Sequence, residues 1–334
     1  MDNDPTDNRP RNALIRVGTA FVMAIAFAFG AYLLLEVTRP TTGVISFSFL
    51  LILPAALSAF IAYVSDPWGE RSMSFYLLVP VWLLCAVIVG SIFILKEGTI
   101  CIVLLSPLWL ISGMIGTIIT YRLRHRNSDD ADIDRMRCVT LIAIPFIAMQ
   151  VEPMIPLPED QAVVTRSIIV DAAPSEIWPL LRGIPDVSPN EGRWNVTQDV
   201  LGVPRPLGAR LVGEGIGAVR LASWGDRIRF REEIIAWEPG RQLRWRFKFD
   251  DLDGWRFTDR HLMPNSAYFH IVTGGYRMDQ LGPRRTRVTL DTRYRIITPV
   301  NSYSELWGQF VLGDVENNLL ALVKQRAERT PRLS

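Results

Sequence analysis

Four long apolar segments in the first 121 residues constrain the fold of this chain most. They cover residues 17–35, 43–64, 73–95 and 99–121. Each approaches the roughly 20 apolar residues that a helix needs to cross a bilayer core. The first is too long for a simple signal peptide, and no small-residue cleavage site follows it. The sequence therefore predicts a four-helix transmembrane region over 17–121. It carries no ionisable residue at mid-membrane, which favours an anchor over a transport path.

The loop arginines predict how this region is oriented. Three of them lie in the polar tail 1–16, and five lie in the loop 122–137 after the fourth segment. The opposite side holds only Arg39 and Lys96. Because cytoplasmic loops are rich in Lys and Arg, both basic regions are expected in the cytoplasm.

Residues 138–157 form a shorter apolar segment that Pro145 interrupts. Its length also suits an interfacial or buried helix. We predict a fifth transmembrane helix here, with Glu152 at the far headgroups, because the cytoplasmic arginines stop at Arg137. The rest of the chain would then face the periplasm of a bacterial inner-membrane protein; without the fifth helix it would be cytoplasmic. It divides into a linker at 158–162, a domain at 163–328 and a tail at 329–334.

The stretch from Arg227 to Phe249 has the clearest pattern in that domain. Apolar and polar residues alternate along two segments joined at Glu238-Pro239-Gly240. This period predicts two strands with one apolar and one wet face. Glu232 is the exception, a carboxylate on the apolar side. An unpaired buried charge is costly, so Glu232 needs a partner, water or a ligand.

The remaining segments complete an α+β layout. We predict strands at 163–170, 195–203, 209–213, 217–224, 266–278 and 285–297, a helix opened by Pro174, and one long helix over 302–328. Glycines 213, 215 and 217 resemble a dinucleotide-binding loop. Strand-like residues follow where a helix should open, so a hairpin is favoured. The last helix is the one element long enough to cover the sheet.

Several short motifs carry a resemblance to a known superfamily. They are Asp171-Ala-Ala-Pro-Ser-Glu-Ile-Trp178, Phe230-Arg-Glu-Glu-Ile234 and Trp237-Glu-Pro-Gly240, followed by the terminal helix. In this order, residues 163–328 resemble the START-like or Bet v 1-like (SRPBCC) superfamily, which includes polyketide cyclase/dehydrase and lipid-transport proteins. The segments 202–206 and 217–220 look like a membrane-anchored bacterial branch of it. The resemblance implies a helix-grip fold: a curved seven-stranded sheet wrapped on the C-terminal helix, with a cavity for an apolar ligand.

The candidate site residues follow from the alternation and from this implied cavity. Glu232, Arg220 and His270 are candidates for catalysis. A buried Arg–Glu pair with only a structural role is an equal alternative, and a hydrogen-bonded core histidine is the other interpretation of His270. The candidate ligand-binding residues are Trp194, Arg220, Trp224, Phe230, Glu232, Trp245, His270, Tyr276, Tyr294 and Trp307.

Three functions are compatible with the sequence. The first is a membrane-anchored domain that binds a lipid or another hydrophobic small molecule. The second is a cyclase or dehydratase that uses Glu232 with His270 or Arg220. The third is a membrane assembly or sensory protein without a small-molecule ligand.

The composition limits the classes of binding partner that are expected. The formal net charge is +2, and the basic residues are nearly all arginines that alternate along strands. This favours a solvated face over nucleic-acid binding. The three histidines and three cysteines lack metal-ligand spacing. We therefore expect the lipid membrane and an apolar ligand as partners, without nucleic acid, metal or cofactor.

Overall fold

The structure is a computed structural model that describes residues 9–38, 45–92, 99–125, 131–252, 254–255 and 263–329. The chain divides into two compact units. The first, the helical unit, ends at Leu157, and the second, the sheet unit, begins at Pro158.

The described residues of the helical unit form five long helices. They are α1 (Arg9–Thr38), α2 (Leu53–Ser65), α3 (Met73–Gly90), α4 (Thr99–Arg124) and α5 (Ala131–Val151). A π-helical turn, Ser48–Ile52, runs directly into α2, and a 3-10 turn, Glu152–Met154, follows α5. Four stretches are long and apolar enough to cross a membrane: Leu14–Thr38, Ser48–Ser65, Met73–Gly90 and Ile102–Arg124. They coincide with the four predicted segments. The expected hairpin at Lys96-Glu97-Gly98 lies outside the described residues.

Close packing between helices holds this unit together. A Cβ on Gly116 of α4 would lie 2.1 Å from the carbonyl oxygen of Ala55 in α2, so only glycine permits this approach. Small residues at helix crossings are typical of transmembrane bundles, where van der Waals packing replaces the hydrophobic effect.

Helix α5 packs beside α1 and α2. Phe146 of α5 meets Phe27 of α1 edge to face, with ring centroids 4.8 Å apart. Just after α5, the carboxylate of Glu152 accepts hydrogen bonds from the backbone amides of Phe47 and Ser48, the latter at 2.9 Å. A carboxylate on exposed helical N–H groups is a favourable cap. It places the end of α5 beside the start of the π-helical turn that leads into α2. Since α5 begins at Ala131, the predicted loop 122–137 is shorter than expected.

The sheet unit contains seven antiparallel strands. They are β1 (Glu159–Val170), β2 (Pro206–Val212), β3 (Val219–Trp224), β4 (Ile228–Glu238), β5 (Gln242–Lys248), β6 (Phe269–Gly282) and β7 (Arg285–Ile297). Their order is β1-β7-β6-β5-β4-β3-β2. The predicted linker 158–162 is mostly strand, because β7 extends far enough to pair Glu159 with Ile297.

The alternation along 227–249 forms the predicted hairpin. Strands β4 and β5 pair from Arg231↔Lys248 to Glu238↔Gln242, with a bulge between Ile234 and Ala236. The glycines at 213, 215 and 217 turn the chain between β2 and β3, all with φ between +81° and +87°. Such φ values suit glycine, which lacks a Cβ. The hairpin interpretation is confirmed and no helix follows.

Three helices complete the sheet unit: α6 (Pro174–Arg182), α7 (Val196–Asp199) and the long C-terminal α8 (Asn301–Arg329). Helix α8 packs against β1 and β7. Its residues Leu320 and Val323 join a core with Trp245, Tyr276 and Leu290 from the sheet. The sheet is wrapped on this helix, which is the predicted helix-grip fold.

The predicted strand 195–203 is wrong. The Asn195 side chain instead accepts a hydrogen bond from the Gln198 amide at 2.9 Å and caps α7. Helix α8 fixes this segment: Asp314 accepts from the hydroxyl of Thr197 at 3.0 Å, and Asn318 accepts from the amide of Arg193 at 2.7 Å. These contacts explain why the polar residues Asp314 and Asn318 lie in the middle of α8.

Candidate functional site

Glu232 lies on the face of β4 that is turned toward the core. In the sheet register it stands between Arg220 of β3 and Phe247 of β5. Only 4% of Glu232 is exposed. Its Oε2 atom is 3.2 Å from Nε of Arg220. The carboxylate predicted on the apolar face is therefore buried and charge-paired.

Two aromatic side chains complete the surroundings of Arg220. Its guanidinium carbon lies 4.9 Å from the ring centroid of Trp245 and 5.8 Å from that of Tyr276, within cation–π range. Arg220 is also hydrogen-bonded to the hydroxyl of Tyr276. We call Arg220, Glu232, Trp245 and Tyr276 the polar cluster. All four residues are buried.

The polar cluster has unused hydrogen-bonding capacity. Nε and Nη1 of Arg220, Oε2 of Glu232 and Nε1 of Trp245 lack a hydrogen-bond partner within the described part of the chain. The Arg220–Glu232 pair is thus close enough for charge attraction but is not aligned for a hydrogen bond. Buried polar atoms in folded proteins are nearly always paired with protein or water. A cluster with four such atoms is suited to an additional polar partner.

Burial also shifts the acid–base properties of the cluster. It raises the pKa of Glu232, and the positive charge of Arg220 offsets part of this effect. Burial likewise raises the pKa of Tyr276, again partly offset by Arg220. Desolvation disfavours the charged form of an acid. The cluster can therefore donate and accept hydrogen bonds in an environment with little water.

An aromatic surface adjoins the polar cluster. Phe247, the cross-strand neighbour of Glu232, stacks on Phe249 with ring centroids 5.8 Å apart and an interplanar angle of 6°. Phe230 lies 5.9 Å from Phe247 and 5.9 Å from Trp224. Trp255 is the last member of this aromatic group, and its ring centroid lies 6.0 Å from that of Phe249. Predicted site residues Trp224 and Phe230 therefore belong to one apolar patch beside Glu232.

The other predicted aromatic residues lie elsewhere. Tyr294 is 1% exposed and packs with Phe269 in a separate cluster. Trp307 is half-buried and contacts Tyr303 and Phe310 of its own helix. Trp194 is 67% exposed. None of the three is part of the polar cluster.

His270 is not brought to Glu232 either. It pairs with Arg295 of β7, whose neighbours Tyr294 and Ile296 face the core, so His270 lies on the outer face of the sheet. A bulge between Ile271 and Thr273 changes the alternation that the sequence suggested. Burial and the nearby Arg295 both lower the pKa of His270.

Sequence reasoning missed two inward residues, Glu316 of α8 and Arg166 of β1. Glu316 is 1% exposed and stands at helical spacing from the buried residues Leu320, Val323 and Ala327. That spacing was available in the sequence. Apolar character alone does not identify the buried face of this helix, because Leu306 and Phe310 are 69% and 41% exposed.

A separate cavity of about 540 Å³ lies beside strands β2 to β4. Its lining includes Arg210, Arg229, Arg231 and Asp250, and Phe230 is the one predicted site residue among its walls. Arg231 forms an ion pair there with Asp250, and its Nη2 atom donates to Oδ1 of Asp250 at 2.8 Å. Charged walls and an internal ion pair make it less suited to an apolar ligand than the aromatic patch.

The fold and the site define a class of protein: a helix-grip domain with a buried polar cluster beside an aromatic patch. Residues 161–328, half of the chain, match the family described as polyketide cyclase / dehydrase and lipid transport. The chain belongs to this family, and so to the START-like superfamily that the sequence resembles.

Solved structures with a similar fold cover about half of the chain. The aromatase/cyclase Zhui from Streptomyces sp. R1128 is 16% identical, with 52% of this chain and 98% of that one covered and a TM-score of 0.33. Norcoclaurine synthase from Thalictrum flavum is 13% identical, with 52% and 91% covered and a TM-score of 0.33. A START superfamily protein from Mycobacterium smegmatis is 12% identical, with 51% and 99% covered and a TM-score of 0.33. No curated protein matches the chain.

Proposed function

We propose that the sheet unit binds a hydrophobic small molecule or lipid between the sheet and α8, and that the polar cluster holds a polar group of this ligand. The observation that carries the proposal is the set of four buried polar atoms without a partner in Arg220, Glu232 and Trp245. Leaving such atoms unpaired costs about 1–3 kcal/mol each, and more for charged groups. A bound polar group removes that cost.

The chemistry of these atoms defines the ligand class. Arg220 and Trp245 offer N–H donors, and Glu232 offers an acceptor. Since the charges of Arg220 and Glu232 offset each other, the site suits a neutral hydroxyl or carbonyl better than an ionised group. The adjoining Phe230, Phe247 and Phe249 suit a large apolar or aromatic body. The proposed ligand is thus a mostly apolar molecule with a hydroxyl or carbonyl group.

The apolar helices support membrane anchoring of this domain. Holding a binding site at a membrane raises its effective concentration toward ligands that partition into lipid. The proposed partners are therefore the lipid bilayer and a molecule dissolved in it or delivered to it.

We also propose that α5 is the fifth transmembrane helix and that the sheet unit faces the periplasm of a bacterial inner membrane. The hydrogen bonds from Phe47 and Ser48 to Glu152 support this arrangement. They put the end of α5 at the beginning of the second span, which is the side reached after the first crossing. With the arginine-rich tail in the cytoplasm, that side is the outer one.

Mass spectrometry of the purified full chain tests the binding proposal. The chain is purified in phosphatidylcholine nanodiscs, and molecules enriched over empty nanodiscs are identified. Trp245→Phe removes one donor but keeps the aromatic body, and Arg231→Gln on the outer face is the matched control. We expect one enriched hydrophobic molecule in the wild type and in Arg231→Gln, and at least about fivefold less in Trp245→Phe, as for one lost hydrogen bond. Absence of any enriched molecule, or equal retention in Trp245→Phe, contradicts the proposal.

An enzymatic role for the same site is the second candidate. It is favoured by the raised pKa of Glu232, since a buried carboxyl group that holds its proton more tightly can serve as a general acid. A cyclase or dehydratase would convert the enriched molecule, and Glu232→Gln would abolish conversion while the molecule is still bound. Unchanged mass of the molecule over a long incubation argues for binding alone.

A further inference from the structure

A second buried carboxyl group faces the sheet from α8. Glu316 stands four, seven and eleven residues before Leu320, Val323 and Ala327, which pack in the core beneath the sheet. Positions at this spacing share one face of a helix. Glu316 is 1% exposed, so its carboxyl group belongs to the interface between helix and sheet.

The neighbours of Glu316 leave the hydrogen-bonding capacity of its carboxyl oxygens largely unused. Neither carboxyl oxygen has a hydrogen-bond partner within the residues described. Arg166 lies nearby, but its guanidinium donates to the carbonyl oxygens of Thr165 and Gln309 at 2.9 and 2.8 Å. The hydroxyl of Thr292 and the backbone amide of Arg166 favour the charged form of Glu316 through weak polar contacts, but neither reaches full hydrogen-bond geometry with a carboxyl oxygen.

The two buried carboxyl groups share a neighbour. The hydroxyl of Tyr276 is within electrostatic reach of both Glu232 on the sheet and Glu316 on the helix. Between these groups, a row of cross-strand partners runs through Trp245, Gly274 and Thr292. Gly274 has no side chain there, and a Cβ would lie 3.0 Å from the ring of Trp245.

We propose that Glu316 is a second ligand-binding residue, and that the ligand carries a second hydroxyl or carbonyl group that Glu316 holds. This inference rests on the proposed function and specifies its ligand: an elongated apolar molecule with polar groups at two separated positions. One group contacts the polar cluster and the other contacts the carboxyl group of α8.

The protonation state of Glu316 fits this role. Burial raises its pKa from the ordinary 4.5 to about 8. At neutral pH a carboxyl group with this pKa is mostly protonated, so it can donate one hydrogen bond and accept another.

Two matched sets of alcohols test the inference. Binding of alkan-1-ols and of α,ω-alkanediols with eight to twelve carbons is measured by equilibrium dialysis. The protein is the full chain in phosphatidylcholine nanodiscs, with empty nanodiscs as the blank. The quantity compared is the ratio of the alkanol Kd to the Kd of the diol of equal length. The variants are Glu316→Leu, Glu316→Gln and, as a control on an exposed part of α8, Glu305→Gln.

At the best chain length we expect Glu316→Leu to lower this ratio at least about fivefold, the effect of one hydrogen bond, with no weakening of alkanol binding. Glu316→Gln and Glu305→Gln keep the wild-type ratio, since a carboxamide still donates and accepts. If alkanols bind but Glu316→Leu leaves the ratio unchanged, the role of Glu316 is refuted while the proposed function stands. If the wild type binds neither alkanols nor diols above the blank, both proposals are refuted.

Discussion

Arg220 and Glu232 form the buried ion pair of the polar cluster, and their replacement measures what this pair contributes to stability. Glu232→Leu leaves the charge of Arg220 buried without a counter-charge. We expect it to lower the unfolding free energy of the sheet unit by about 3–5 kcal/mol. The double variant Arg220→Met/Glu232→Leu replaces the pair by apolar groups and should regain most of this loss. Urea unfolding of the full chain, followed by tryptophan fluorescence, measures both.

The exposed pair Arg231–Asp250 on the outer face is the control for this experiment. Exposed ion pairs contribute little, so Asp250→Asn should leave the unfolding curve almost unchanged. A double variant no more stable than Glu232→Leu would show that the loss has another cause than the unpaired charge.

Glu316 gives the sheet unit a defined pH dependence. Its pKa is about 8 in the folded chain and near 4.5 when unfolded. Between these values the folded state binds more protons than the unfolded state, so stability falls as pH rises. The contribution of protonated Glu316 to the unfolding free energy is fully present below pH 4.5 and is lost as the pH rises to 8. Its slope approaches about 1.4 kcal/mol per pH unit in the middle of this range.

Glu316→Gln has no proton to lose at this position. Its unfolding free energy, compared with the wild type from pH 5 to pH 8, should therefore show a flatter decline. Glu305→Gln serves as the control and should follow the wild type. Parallel curves for wild type and Glu316→Gln would contradict a raised pKa at Glu316.

At the residue scale, sequence reasoning succeeded where the strand period was undisturbed. Alternation placed Glu232, Trp245 and Tyr276 on the core face, and their structural partners agree. It failed at His270, because the bulge at Ile271 changes which side chains point inward. It missed Glu316 because a helix shows several candidate stripes, and only contact with the sheet decides which one is buried.

At the scale of elements, α8 approaches the sheet so closely that glycine is required. A Cβ on Gly308 would lie 2.2 Å from the hydroxyl oxygen of Tyr294 and 2.6 Å from its ring carbon Cζ. Gly→Ala inside an exposed helix normally stabilises by about 1 kcal/mol. Here we expect Gly308→Ala to lower the unfolding free energy by about 1–3 kcal/mol, because overpacking forces the buried ring to move.

Urea unfolding measures this effect, with Leu306→Ala as the control on an exposed position of the same helix. A stabilised Gly308→Ala variant would mean that α8 lies farther from β7 than the structure places it.

The order of the helices and strands could be predicted from the sequence, whereas the conformation of residues 192–199 could not. Strand period and the turn glycines predicted seven strands and the long helix close to their true positions. Residues 195–203 contain three valines, Val196, Val200 and Val203, and valine is enriched in strands. What decides their conformation is the hydrogen bonding of Asn195, Asp314 and Asn318, and two of these lie more than 100 residues away along the chain.

At the scale of the whole molecule, the chain passes from the four apolar helices to the sheet unit through α5. Length and composition alone leave the direction of the chain after α5 open, because Pro145 and the charged start of the helix weaken its apolar signal. The contact between Glu152 and the amides at the start of the π-helical turn before α2 adds a constraint that joins residues about 100 positions apart. Such a constraint is not visible in any local window of sequence.

Reporter fusions test the resulting topology. Alkaline phosphatase, which is active only after export, is fused at Ser334 in one protein and after Arg124 in another, and each is expressed in bacterial cells. Because α5 is proposed to carry the chain across the membrane, we expect activity from the Ser334 fusion and none from the Arg124 fusion. Deleting residues 131–157 should abolish the activity at Ser334, since the chain would then stay in the cytoplasm. A green fluorescent protein fused at Ser334 should be dark after export through the general secretory route. Bright fluorescence together with an inactive phosphatase at Ser334 would place the sheet unit in the cytoplasm and leave α5 as a helix that packs on the bundle without crossing.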